Sequence, residues 1–335
     1  MPVDKIRVQG DSRVKHESAT VNGRKYGYLL SQPESGRYRA TIFLIHGFPD
    51  LSMGWRYQIP MLVDMGLRVV APDCLGYGRT DAPDDVAEYG HKSCADDIKA
   101  LANHLGESKI ILGGHDWGAF LAYRISLWHP DLITHLFTVC VPHTGLKKDF
   151  ISLEDLVRVA PNLTYQVQFA SGELEKVIKS RKEIKQLLTA LYGGRTPDGK
   201  TGFTVEEGLL LDRYMTLKPQ RLLSEEELEY YATEFSRNGV HGPLNWYRTR
   251  KVNFDDEESI VGRKITIPTL FIQALRDPVL PPHLSKSMRE EIPGVIMKSV
   301  DTAHWALLEK PAEVNAIISG WLKDIVFAGR PAEKL

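Results

Sequence analysis

The sequence predicts an α/β fold: a mostly parallel sheet with helices on both faces, opened midway to admit a helical insertion. Short, continuous apolar runs recur along the chain and alternate with segments of helical period. Strands apolar on both faces belong to sheets that are covered on both sides. The strand pattern then stops for roughly a hundred residues before it returns, which marks the insertion.

The first forty residues alternate polar and apolar. Val14–Thr20 and Lys25–Ser31 flank Val21-Asn22-Gly23-Arg24, and Asn-Gly between two alternating runs signals a hairpin. Thr41–Ile45, Leu67–Ala71, Lys109–Leu112 and Ile133–Val141 read as buried strands, with helices expected at His91–Leu105 and Trp117–Trp128. From about Pro142 to about Gly262 only helices are expected: Gly172–Leu191, Val205–Leu217 and Ser224–Arg237. The last opens on a capping box, Ser224-Glu225-Glu226-Glu227. Strands return at Ile265–Ala274 and Val295–Val300, and Trp305–Val326 reads as a closing helix. The expected division is residues 1–142 as the first part of the core, 143–262 as a helical lid, and 263–335 as the second part of the core.

Composition narrows the function. The chain has 335 residues, 43% apolar and 25% charged, ordinary values for a globular protein that can bury its own core. Lys plus Arg is 42 and Asp plus Glu is 43, for a net charge of −1. That balance supplies no electrostatic reason to bind nucleic acid or an anionic membrane surface. The three cysteines, Cys74, Cys94 and Cys140, are odd in number and never at C-x-x-C spacing. They point to a reduced, cytoplasmic protein rather than a disulfide scaffold. Met1 to Asp11 lacks the apolar stretch of a signal peptide, and no apolar run reaches the length of a membrane span. The terminal Glu333-Lys334-Leu335 only faintly echoes a Ser-Lys-Leu address. Neither the histidines nor the cysteines show ligand spacing, so no metal is expected.

The chemistry centres on Gly113-Gly114-His115-Asp116-Trp117-Gly118-Ala119, between an expected strand and an expected helix. Its core is G-x-nucleophile-x-G, in which small residues permit a sharp turn that exposes the middle side chain. Asp116 occupies the nucleophile position; the plainer reading makes it the N-cap of the following helix. His46-Gly47-Phe48-Pro49 follows the strand Thr41–Ile45, so the backbone N–H groups of Phe48 and Trp117 are candidates for an oxyanion hole. Asp277 follows Ile265–Ala274 and His304 follows Val295–Val300, giving the chain order nucleophile, acid, histidine. Asp301 is the alternative acid, close to His304 in sequence.

These motifs resemble the soluble epoxide hydrolases of the α/β-hydrolase superfamily, over a span from about Lys25 to Val326. Two strings in the insertion extend the resemblance: Asn162-Leu163-Thr164-Tyr165-Gln166-Val167-Gln168-Phe169 and His241-Gly242-Pro243-Leu244-Asn245-Trp246-Tyr247-Arg248. The resemblance implies an α/β-hydrolase fold and assigns two lid tyrosines, Tyr165 and Tyr247. Phe48, Trp117, Phe169 and Trp246 are the expected walls of an apolar pocket. The residue types suit that chemistry. A carboxylate attacking a saturated carbon leaves an alkyl ester that water can cleave, whereas attack on an acyl carbon would leave an anhydride. Phenols remain protonated at neutral pH and can serve the departing epoxide oxygen. His304, oriented by Asp277, would activate water. Substrate and water then suffice, the substrate being a small apolar epoxide, with no cofactor.

Two other functions fit the same scaffold. A haloalkane dehalogenase shares the Asp nucleophile and the His-Asp-Trp-Gly string, but its relatives resemble His-Gly-Asn-Pro where Phe48 stands here, and Tyr247 has no role in halide release. A non-catalytic ligand-binding protein would have no use for the Asp277–His304 pair. Gly194-Arg195-Thr196-Pro197-Asp198-Gly199-Lys200-Thr201 matches a phosphate-loop string but follows a helical stretch, so it reads as a solvated loop. Asn162-Leu163-Thr164 is a sequon in a chain without a secretion signal. Asp73 and Gly76-Tyr77-Gly78 read as turn residues.

Overall fold

The structure, a computed structural model, describes residues 3–219 and 221–328; Glu333-Lys334-Leu335 lies outside them. The chain separates into two compact units. One comprises the chain up to Cys74, His91–Leu146 and the chain from Ser259 on; the other comprises Leu75–Gly90 and Lys147–Glu258.

The first unit is built on a sheet of β1 (Lys15–Val21), β2 (Arg24–Ser31), β3 (Ala40–Ile45), β4 (Leu67–Pro72), β5 (Ile110–His115), β6 (Ile133–Val139), β9 (Thr269–Ala274) and β10 (Ile296–Val300). Their spatial order is β1-β2-β4-β3-β5-β6-β9-β10. β2 pairs antiparallel with β1 and β4, and every other neighbouring pair is parallel. The hairpin closes as the sequence predicts. Val21 pairs with Arg24, and Asn22 and Gly23 take φ of 48° and 81°, the doubly positive turn that matches strand twist. Every residue of β3 and β5 is buried, as continuous apolar runs at the centre of a covered sheet require. The helices of this unit are α1 (Ile59–Asp64), α2 (His91–His104), α3 (Trp117–Trp128), α11 (Met288–Glu291), α12 (Ala306–Glu309) and α13 (Pro311–Trp321).

Two predicted elements are shorter or more broken than expected. β9 starts at Thr269, directly after Pro268, which has no N–H for a ladder. The closing helix is α12, α13 and a π turn at Leu322–Val326; Pro311 ends α12 and opens α13 at its first position.

The second unit holds α4 (Leu153–Val159), α5 (Tyr165–Ala170), α6 (Glu173–Val177), α7 (Arg181–Leu191), a ribbon of β7 (Phe203–Thr204) and β8 (Gly208–Leu209), α8 (Glu225–Phe235), α9 (His241–Asn245) and α10 (Arg250–Glu257). The stretch Gly172–Leu191 is two helices, not one. Ser180 is extended and forms a full capping box with Glu183, a start signal inside the apparent run. The capping box at Ser224 forms as predicted. The helix expected at Val205–Leu217 is absent. The Gln168 side chain accepts the Leu209 N–H at 2.7 Å and donates to the Leu209 carbonyl at 3.0 Å. A side chain from α5 thereby takes the backbone groups a helix would have used, while Gly208 turns at φ 83°.

Leu75–Gly90 is the larger surprise, since the sequence places it in the core. It clusters with the helical unit. Gly76 and Gly242 meet backbone to backbone, so that a Cβ on Gly76 would lie 2.7 Å from the Gly242 carbonyl carbon. The Trp246 indole donates to the Leu75 carbonyl at 3.0 Å, and Arg79 pairs with Glu234 at 3.1 Å. Gly194–Thr201 is a turn with a backbone bond from Thr196 to Lys200 at 2.9 Å, not the start of a helix. Among the described residues no helix is long and apolar enough to cross a membrane.

Candidate active site

β5 passes into α3 through Asp116, whose φ of 53° and ψ of −129° are strained for an L-residue. The neighbouring glycines permit this. A Cβ on Gly114 would meet the backbone of Gly118 and Ala119, and a Cβ on Gly118 would meet the carbonyls of Ile45 and His46. Asp116 makes no side-chain cap to α3, so the N-cap reading fails. Its Oδ1 instead accepts the Phe48 N–H at 2.8 Å, and the nearby Trp117 N–H favours the charged carboxylate. A Cβ on Gly47 would collide with that carboxylate, which explains the glycine before Phe48.

Asp277 lies just past β9, its side chain fully buried. Its Oδ1 accepts the N–H groups of Val279 and Leu280 at 2.8 and 3.2 Å. Its Oδ2 lies 2.8 Å from His304 Nδ1, and His304 Nε2 lies 3.3 Å from Asp116 Oδ2. Asp301, the alternative acid, is exposed and pairs with Arg276 at 2.7 Å. Asp277, not Asp301, is the carboxylate in contact with His304.

The three groups set one another's charge. Burial alone would push the His304 imidazole down, but the charge of Asp277 and the bonds to Asp116 and Asp277 hold it well above its ordinary pKa. Burial would raise Asp116 and Asp277, yet His304 outweighs it and both carboxyls sit below their usual range. The direction of each shift favours an imidazolium flanked by two carboxylates.

Sequence reading missed three contributors. His115 Nε2 lies 3.0 Å from the His304 carbonyl oxygen, and burial pushes this ring down to about 4, so it is a neutral donor. The Cys140 thiol, on a residue with φ 70°, donates to the same oxygen at 3.2 Å. Glu309 bonds the backbone on both sides of His304. Possible ligand atoms of His115, Cys140 and His304 all lie within 4.8 Å of one another. The His304 carbonyl already takes up the thiol and His115 Nε2. A signal for His115 did exist, its place directly before the elbow residue; Cys140 and Glu309 carry none that periodicity can register.

In the second unit, Tyr165 and Tyr247 come together with ring centroids 6.1 Å apart. Phe169 sits between them at 5.2 and 5.1 Å, and Phe203 lies 5.6 Å from Tyr165. Trp246 lies against Tyr77 in that unit, with ring centroids 6.4 Å apart.

A strained elbow carrying a carboxylate, with an acid and a histidine supplied by later strand ends, defines an α/β hydrolase. The family model described as the alpha/beta hydrolase fold matches residues 40–170. An epoxide hydrolase of Neurospora crassa is 36% identical over 94% of this chain and 97% of its own. The bifunctional epoxide hydrolase 2 of Rattus norvegicus is 35% identical over 92% of this chain, which spans only 56% of that protein's length. The solved structure of an epoxide hydrolase from Vigna radiata superposes with a TM-score of 0.78 at 26% identity, covering 93% of this chain and 99% of that one. This chain belongs to the epoxide hydrolase family of the α/β-hydrolase superfamily.

Proposed function

We propose that the protein hydrolyses epoxides to vicinal diols through an ester on Asp116. The observation that carries this reading is the carboxylate at the elbow, held between the Phe48 N–H and His304. In the first step an Asp116 oxygen attacks an epoxide carbon and the carbon–oxygen bond breaks. Tyr165 and Tyr247 donate to the departing oxygen, and one phenol gives up its proton. In the second step His304 takes a proton from water, and the hydroxide adds to the ester carbon. The N–H groups of Phe48 and Trp117 hold the oxyanion. Collapse expels the diol oxygen, which takes the proton from His304; the water's other proton leaves the regenerated carboxyl and restores the phenol.

The electrostatics support this order. Ester formation cancels the charge on Asp116, one of the two anions that hold His304 protonated. The imidazole then gives up its proton to solvent, serves as the base of the second step, and takes a proton back from solvent once the Asp116 carboxylate is regenerated.

The test is His304→Gln incubated with a panel of epoxides and alkyl halides, followed by mass analysis of the peptide containing Asp116. A gain equal to a whole epoxide is expected. A gain equal to a haloalkane less HX, without an epoxide adduct, would establish dehalogenation instead. No adduct from any member would favour the binding-protein reading.

The pH dependence follows from the charge pattern. Asp277 raises the His304 pKa, so Asp277→Asn lowers it. The second step needs neutral His304, and the acid limb of kcat should therefore move to lower pH in the variant, beneath a reduced plateau. A limb that stays in place, measured by steady-state turnover across pH, would mean that another group limits the reaction.

A further inference from the structure

We propose that Glu309 is a positioning residue that fixes His304 by gripping the backbone on either side of it, an inference that rests on the reading of His304 as the base for ester hydrolysis. Its Oε2 accepts the Ala303 N–H at 3.0 Å and its Oε1 accepts the Trp305 N–H at 3.1 Å. One carboxylate thus straddles the residue in question. α12 makes this reach possible: the Leu308 and Glu309 N–H groups bond the Trp305 carbonyl at 2.9 and 2.8 Å, folding the end of the turn back over its start.

The backbone tie from the Arg276 N–H to the Thr302 carbonyl, at 2.9 Å, ends two residues short of His304, so the grip matters for the residues that flank the imidazole. Among the described residues β10 is an edge strand paired with β9, and it ends at Val300. Arg276 ties Asp301 to the Asp277 loop, but both side chains are more than half exposed, and such pairs contribute little. Bonds from N–H groups to a carboxylate are roughly twice as strong as neutral ones. Together with His115 and Cys140 on the His304 carbonyl, Glu309 leaves the imidazole one position, with Nδ1 on Asp277 and Nε2 toward Asp116. That position must survive the loss of the Asp116 charge on ester formation, when one of the imidazole's two partners no longer pulls on it.

The experiment is Glu309→Gln. The amide keeps the shape, but it accepts only one N–H well and turns its NH2 group against the other. Ester hydrolysis should slow by about 30- to 100-fold, the scale of a small misplacement of a catalytic group, while alkylation changes by less than about threefold. Single-turnover mass analysis should therefore show ester accumulating on Asp116, with kcat and KM falling together and kcat/KM nearly unchanged. NMR of the free enzyme should show the His304 pKa lowered, because its carboxylate contacts loosen. Arg276→Ala, which removes only the exposed tie, should leave all three readings close to those of the parent enzyme.

Equal losses in both steps with an unmoved His304 pKa would reduce Glu309 to a general structural part and overturn the proposal, as would no change at all. If the parent enzyme forms no ester, the epoxide reading falls while the His304 titration still decides the positioning role. Should the variant not fold, the amide shifts of Ala303 and Trp305 in the parent enzyme decide the matter. Both are expected to titrate together with one carboxylate, and two unresponsive amides would overturn the proposal.

Discussion

Asp116→Asn is expected to lower kcat/KM for any epoxide substrate by about 10⁴-fold or more, the scale seen when a nucleophile is removed from a hydrolase. The amide is nearly isosteric, so the strained elbow and the Phe48 contact remain available. What disappears is the anionic oxygen that attacks carbon. The same change removes one of the charges that raise His304, so the imidazole pKa should fall in parallel. Steady-state kinetics and NMR titration check the two effects separately. Loss of the histidine shift without loss of activity would indicate direct attack by water, with Asp116 serving only as an electrostatic partner.

The double substitution Tyr165→Phe with Tyr247→Phe is expected to cost about 10³- to 10⁴-fold in the alkylation step, in the range of general acid catalysis. Each single change should cost less, about 10- to 100-fold, because the other phenol still donates to the same oxygen. The losses are confined to the first step: ester hydrolysis has no departing epoxide oxygen to serve. Folding should be little affected, since the rings that pack against Phe169 at 5.2 and 5.1 Å are retained. Rapid-quench measurement of ester formation separates the two steps. A double variant that alkylates at the parent rate would remove both tyrosines from the reaction.

Much of the fold was legible because its signals are local. β3 and β5 are unbroken apolar runs, so they read as buried strands without any knowledge of their neighbours. The hairpin at Asn22-Gly23 needs only those two residues. The elbow was legible because Gly114 and Gly118 flank Asp116 at the spacing a sharp turn demands. Asp277 and His304 were singled out by their place just past strand ends, since a parallel sheet gathers such ends at one edge.

The misreadings share a cause. Val205–Leu217 has the composition of a helix, yet Gln168 captures the Leu209 backbone and holds a ribbon instead. Leu75–Gly90 reads as core because of its place in the chain, yet Gly76 meets Gly242 and Leu75 accepts the Trp246 indole. Each depends on a partner far away in sequence, and no window along the chain contains both.

The division between sequence and structure therefore falls along the range of the forces involved. The chain by itself determined the strand and helix order, the glycine-flanked Asp116 and the residue types that suit attack on a saturated carbon, because propensity, apolar periodicity and turn chemistry act over a few residues. Only the tertiary structure set Asp277 rather than Asp301 beside His304, raised the His304 pKa, and brought His115, Cys140 and Glu309 around it. Those outcomes rest on hydrogen bonds and burial among segments that meet only after the sheet has formed, and such bonds leave no periodic trace in the sequence.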